Sequence, residues 1–200
     1  TSREEASAAE KQIAALDSFE IEGLGHNIDF LSAIMQHERF RAGNLSTGFI
    51  AEEYPDGFTG AAASDELKVK IAAVAGFIAT ARADRARQVD GQLADTLDAP
   101  GEWSVKIGDH RFLVSLEGED ITVDGEVVDL VMEYTPGDRL VEAEVNGDVL
   151  GIKVEPTRTG LKMTTRGAIH KVEILPARVA HLTAHMIEKI PPDLSKFLIC

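Results

Sequence analysis

Residues 65–90 read DELKVKIAAVAGFIATARADRARQVD, and the spacing of apolar residues here decides how the rest of the chain is arranged. Ser64 is placed to cap a helix, and Asp65 and Glu66 then lie in the first turn, where carboxylates favour the helix dipole. Leu67, Ile71, Val74 and Ile78 recur at helix period. Val69, Ala72, Ala73, Gly76 and Phe77 fill the opposite face, leaving 69–79 apolar on every side. Such a helix is enclosed, by membrane or by protein. The uncharged run 71–81 is far shorter than the roughly 20 residues a membrane span needs, so the enclosure is protein. Beyond it, Arg82, Asp84, Arg85 and Arg87 emerge into water or against a partner. At about 1.5 Å per residue the whole rod is on the order of 39 Å long.

From Trp103 to Leu175 the period changes to two, with turn signals every eight to twelve residues. The pattern predicts eight strands, at 102–107, 110–116, 121–123, 127–134, 139–145, 149–155, 161–165 and 168–175. Asp124-Gly125 and Asn146-Gly147 supply the positive φ angles of tight hairpins, so successive strands pair antiparallel. One face collects Val105, Ile107, Phe112, Val114, Leu116, Leu130, Met132, Tyr134, Val141, Ala143, Val145, Ile152, Val154, Val172 and Ile174. The other carries Lys106, Arg111, Asp129, Glu133, Glu142, Glu144, Lys153, Glu155, Lys171 and Glu173. A one-faced meander needs a cover or curls closed.

An Ala- and Gly-rich helix is thin, and a curved sheet can wrap it. The expected fold is therefore α+β: a long central helix wrapped by an eight-stranded antiparallel up-and-down β-barrel, preceded by a short helical segment. A helix lying across one open end of the sheet is the alternative. If the helix fills the interior, a small-ligand-binding barrel is excluded, because no room remains for the ligand.

Two hundred residues with 44% hydrophobic content are ample for a core. A net charge of −14 argues against nucleic acid, which calls for a basic stripe. No stretch suits a bilayer, and the single cysteine, Cys200, excludes an intrachain disulfide framework. The Thr-Ser start and the apolar FLIC end read as a piece of something longer. Ahead of the barrel, Ser2 to Glu5 has capping-box spacing for a helix over 3–17 that buries Ala9, Ile13 and Leu16. Phe19 to Ile21 is a brief strand candidate, and Asn27 caps a helix over 28–37. Residues 40–58 read as irregular, and 1–58 are too few for a comfortable core of their own.

Little chemistry can be assembled. His181 and His185 have the i, i+4 spacing of helical metal ligands, but no third ligand or carboxylate base accompanies them, so packing or surface roles are preferred. Gly23-Leu-Gly25 lacks the third glycine of a dinucleotide loop. No Ser-His-Asp set, Cys-His pair or phosphate loop is present. The expectation is no catalytic, cofactor-binding or metal-binding residue.

FLSAIMQHERFRAGNLSTGFIAEEYPDGF, residues 30–58, resembles the end of the biotin carboxylase domain in the propionyl-CoA carboxylase α-subunit family of biotin-dependent carboxylases. The helix-then-meander region is similar to that family's BT domain, and MIEKIPPDLSKFLIC (186–200) resembles the linker before its biotin carrier domain. The 3-methylcrotonyl-CoA carboxylases lack anything like Ala51-Glu-Glu-Tyr-Pro55. The resemblance implies three parts: the end of a biotin carboxylase domain (1–58), a subunit-interaction domain (59–183) and a linker (184–200). It implies an ATP-dependent ligase whose ATP, Mg and bicarbonate are used upstream and whose biotin is attached downstream, in an AMKM-type motif beyond Cys200. It implies a hetero-oligomer with a carboxyltransferase β-subunit and no membrane or nucleic-acid partner. The compartment implied is the bacterial cytoplasm or the mitochondrial matrix.

Gly91 to Gly101, GQLADTLDAPG, is long for a connection in a compact domain, where about 4–6 residues is usual. It carries Leu93 and Leu97 in otherwise polar sequence. Either both leucines fold back on the mouth of the barrel, or they protrude as a contact for another subunit. The resemblance favours protrusion, because the family uses this loop as a hook against the carboxyltransferase. The expected interface is Arg87, Gly91, Gln92, Leu93, Leu97 and Pro100, with Arg82 and Arg85 either flanking it or simply solvated.

Overall fold

A computed structural model describes residues 3–21, 23–91, 93, 95, 97–118 and 120–185. Ser2, Gln92, the tail 186–200 and with it Cys200 lie outside the described residues. Four helices come first: α1 (Arg3–Asp17), α2 (Ile28–Gln36), α3 (Glu38–Arg41) and α4 (Phe49–Glu53). The long helix α5 follows (Asp65–Arg87), then nine strands: β1 (Glu102–Ile107), β2 (His110–Glu117), β3 (Asp120–Val123), β4 (Glu126–Val128), β5 (Leu130–Met132), β6 (Leu140–Val145), β7 (Asp148–Pro156), β8 (Gly160–Thr165) and β9 (Ala168–Pro176). A short helix α6 (Ala177–Ala180) and a 3-10 turn (His181–His185) close the described chain.

The strands form one antiparallel sheet in the order β4-β3-β2-β1-β9-β8-β7-β6-β5. Pairing of β1 with β9, with Val105 opposite Ile174, closes the ends of the meander on each other. The sheet's two edges, β4 and β5, are consecutive in the chain, so the barrel is nearly closed with a seam at Asp129. The expected strand 127–134 is thus two strands. Its side chains keep their alternation, with Val128 buried and Val127, Asp129 and Val131 outside. What changes at the seam is the neighbour, β3 before it and β6 after it. The turn residue Asn146 holds the edge: its Oδ1 accepts from the Asp129 amide at 2.9 Å, and its own amide donates to the Asp129 carbonyl at 2.8 Å.

α5 runs through this barrel. Ser64 Oγ accepts from the Leu67 amide at 3.1 Å, as a cap should. Residues Lys70 to Gly76 are buried on every side, and Ile78 with them. They share one core with the fifteen apolar positions read from the meander, each of which lies in that core or against it. The helix occupies the space a ligand would need. Gly76 marks the closest approach, since a Cβ there would fall 2.5 Å from Cγ1 of Val114.

Several expectations need correcting. The helix ends at Arg87 rather than 90, and Phe77 is half-buried beside a fully buried Ile78. The ring 69–79 is not wholly apolar, because buried Lys70 lies in it, its Nζ 2.7 Å from Glu66 and also bonded to Asp148. Burial opposes that charge, but the Asp148 and Glu66 carboxylates outweigh it and hold the ammonium above its ordinary pKa. Phe19–Ile21 is not a strand, and both residues are exposed. Asn27 makes no side-chain cap, and α2 stops at Gln36 because His37 turns extended and caps α3 instead, its Nδ1 accepting from the Arg39 amide at 3.2 Å. The stretch 40–58 contains the end of α3 and all of α4.

Candidate interaction surface

The connection from α5 to β1 is held at both ends. At the helix end, Arg87 Nη1 donates to the Ala83 carbonyl at 2.8 Å, and the Gln88 amide donates to the Arg85 carbonyl at 3.3 Å. The Gln88 contact occupies a carbonyl that a terminating helix leaves free, and the Arg87 guanidinium folds back along the last turn. Gly91 then turns the chain with φ +76°. At the sheet end, Ala99 and Pro100 are half-buried, and the Gly101 carbonyl accepts from the Leu116 amide at 2.7 Å. Trp103 follows, buried, with its Nε1 donating to Oγ1 of Thr80 at 2.7 Å.

Between these ends the leucines face water. Leu93 is 106% exposed and Leu97 76% exposed, with Val89 also outside. Neither leucine covers the mouth of the barrel. Gln92 is outside the described residues. Arg87 stays half-buried against its own helix, Arg85 is exposed, and Arg82 is half-buried at the barrel mouth. Large apolar side chains held in water on a loop with fixed ends suit a protein contact better than chemistry.

The N-terminal helices dock on the opposite strands. Asp17 is buried at the β8–β9 turn, where its carboxylate accepts the Arg166 amide at 3.0 Å and lies 3.4 Å from the Thr165 hydroxyl. Burial pushes its pKa up to about 6, with the Arg166 amide and charge holding it back. Arg166 Nη1 also reaches Glu10 at 2.8 Å, and Glu10 pairs with Arg41. Gln36 Nε2 donates to the Arg166 carbonyl at 2.7 Å. Gly167 fits against α2 so closely that a Cβ would lie 2.5 Å from the Asp29 carbonyl oxygen.

Among the described residues no group of three metal-ligating side chains comes together. His181 and His185 sit in a 3-10 turn, where positions four apart point about 120° away from each other. The one buried side-chain polar atom without a partner among the described residues is Nε2 of His170. A lone imidazole nitrogen is no cradle for biotin, ATP or a metal.

Residues 71–189 match the family model described as the propionyl-coenzyme A carboxylase BT domain. The chain belongs to that family. Residues 1–52 match the model described as the biotin carboxylase C-terminal domain. The chain is 39% identical, over 98% of its length, to the propionyl-CoA carboxylase alpha chain of Ruegeria pomeroyi, of which it covers 30%. It is 30% identical over 96% of its length to the mitochondrial alpha chain of Rattus norvegicus, covering 28% of it. The corresponding figures for Homo sapiens are 28%, 96% and 28%. The chain thus spans less than a third of the length of these curated relatives. The helix-filled barrel is the fold that the resemblance to a BT domain implied. No helix among the described residues is long and apolar enough to cross a membrane.

Two features of this BT domain escaped sequence reasoning. The Trp103–Thr80 bond pairs a strand residue with a helix residue that no periodicity connects, although a single tryptophan beside a long loop hinted at an anchor. The Asp17–Arg166 dock has no local signal at all.

Proposed function

We propose that this chain is the assembly domain of a propionyl-CoA carboxylase α-subunit, docking a biotin carboxylase onto a carboxyltransferase β-subunit. In this reading residues 1–58 end the biotin carboxylase domain, 59–183 form the BT domain and 184–200 lead toward the biotin carrier domain. The whole enzyme carboxylates biotin with ATP, Mg and bicarbonate, then passes the carboxyl group to propionyl-CoA. It works in the cytoplasm of a bacterium or in the mitochondrial matrix. This piece holds the two half-reactions in one hetero-oligomeric particle and supplies no catalytic group.

The observation that carries the proposal is the pair Leu93 and Leu97, exposed on a loop whose two ends are fixed. Arg87, Gly91 and Pro100 set the loop's base, Gln92 belongs to the proposed contact by its place in the sequence, and the leucines are its anchors. A few buried anchors usually dominate the energy of such an interface.

The test is Leu93→Asp combined with Leu97→Asp. Each aspartate would have to bury an unpaired charge in the complex, costing several kcal/mol of association. Co-purification with the carboxyltransferase subunit should be lost while the melting temperature stays at the parent value. Normal assembly of the double mutant would remove the hook from the account.

A further inference from the structure

Cations gather on one side of this acidic protein. The outer face of β9 and its neighbours forms an open trough of about 510 Å³ lined by Lys106, Arg158, Lys162, Lys171 and Glu173. Lys162 and Lys171 stand directly opposite each other across the β8–β9 ladder. Like charges so placed repel. Lys162 is satisfied by Glu155 at 2.8 Å, but Lys106, Arg158 and Lys171 make no ion pair among the described residues.

The same loop that walls this trough, Thr157 to Thr159, also walls a pocket of about 290 Å³ at the barrel mouth. Ile78, Ala79, Trp103, Ile174 and Leu175 make that pocket apolar, and Arg82 and Arg158 stand on its rim. The wall is firmly held: the Thr157 amide donates to the Gly160 carbonyl at 3.0 Å, and the Ile174 amide to the Thr159 carbonyl at 2.9 Å. Gly160 lies against β9 with no space for a side chain, since a Cβ would fall 2.0 Å from the Val172 carbonyl oxygen. No described residue of the loop 88–101 lines either cavity.

We infer that the trough and pocket together form a second docking groove, which takes an acidic peptide segment of a partner protein with one apolar residue seated beside Trp103. Charge complementarity chooses the occupant. Cations crowded together, three of them without an ion pair among the described residues, are stabilised by carboxylates, and the pocket next to them accepts a side chain that carboxylates alone do not use. Net charge of −14 on the chain keeps other polyanions away at long range, so the local patch selects for a short segment rather than an extended polyanion.

The probe is a fluorescein-labelled peptide in which one leucine precedes a short run of glutamates, titrated against the full chain by fluorescence anisotropy. Binding should weaken as sodium chloride rises. Arg158→Glu with Lys171→Glu should weaken it by about tenfold or more, with an unchanged melting curve. Replacing the leucine of the probe by serine should also weaken it. The inference is overturned if the peptide does not bind, if charge reversal leaves binding unaltered, or if the serine peptide or inorganic polyphosphate binds equally well. The hook mutant Leu93→Asp/Leu97→Asp should bind the peptide like the parent, which separates this groove from the proposed carboxyltransferase contact.

Discussion

The indole Nε1–H of Trp103 donates a 2.7 Å hydrogen bond to Oγ1 of Thr80, and the Thr80 hydroxyl in turn donates to the Gly76 carbonyl at 3.1 Å. Helix and first strand are therefore joined where the helix leaves the barrel, and the loop between them starts and ends at fixed points. Thr80→Val keeps the shape but strands a buried indole N–H, and should cost about 1–3 kcal/mol. Trp103→Phe removes the other half. In a denaturant double-mutant cycle the two changes together should cost less than their sum. Strict additivity would mean the bond contributes nothing.

Gly76 should tolerate alanine better when Val114 is cut back. The clash with Cγ1 of Val114 at 2.5 Å is an overpacking cost of about 1–3 kcal/mol, which exceeds the gain of about 1 kcal/mol from helix propensity. In a Val114→Ala background the closest remaining contact is 3.1 Å, with Cβ of residue 114, and the same Gly76→Ala change should cost much less. An equal effect in both backgrounds, measured by urea unfolding, would contradict the close approach.

Ile78 and Phe77 are neighbours with different fates. Ile78→Ala empties a fully buried site and should cost about 2–5 kcal/mol. Phe77→Ala, at a half-buried site, should cost less. Reading the sequence placed both in the enclosed part, because helix period assigns faces but not where a curved sheet ends.

Asp17 links stability to pH. Its folded pKa is raised from 3.8 to about 6, so in that window the folded protein holds a proton that the unfolded chain has released. Stability from this group is thus fully present below about pH 4 and is lost as pH rises through about 6, by on the order of 3 kcal/mol. Asp17→Asn keeps an acceptor for the Arg166 amide and cannot ionise. The stability of the parent relative to this variant should therefore fall between pH 4 and pH 6. A constant difference across that range would mean that Asp17 titrates as an ordinary exposed carboxylate.

Long-period signals were legible and exceptions to them were not. Alternation assigned the inward set from Val105 to Ile174, because a sheet with one buried face leaves no freedom in that choice. The same alternation runs unbroken through Asp129, so it could not reveal that the ladder changes neighbours there. Lys70 hides in an apolar stretch because one of its two partners, Asp148 at the start of β7, is distant in sequence. Among the proposed hook residues, loop length and the unexplained leucines Leu93 and Leu97 were readable. The Arg87 contact with the Ala83 carbonyl and the Trp103 anchor were not, since both depend on how the helix ends in three dimensions.

The pairing of β1 with β9 also sets the order of events in time. These strands lie at opposite ends of the meander, so their contacts form only after a long chain segment has surrendered its entropy. The helix they enclose precedes both in the sequence and carries charged residues at each end, which makes threading it into a finished barrel costly. Hairpins must gather on the helix first and the circle must close last. The helix also leaves the ribosome ahead of every strand, so synthesis delivers the parts in the sequence that closure needs. Val105→Ala, at the closing pair, should accordingly speed unfolding more than it slows refolding in stopped-flow traces. The reverse pattern would put closure early, and make this barrel a container filled after it is built.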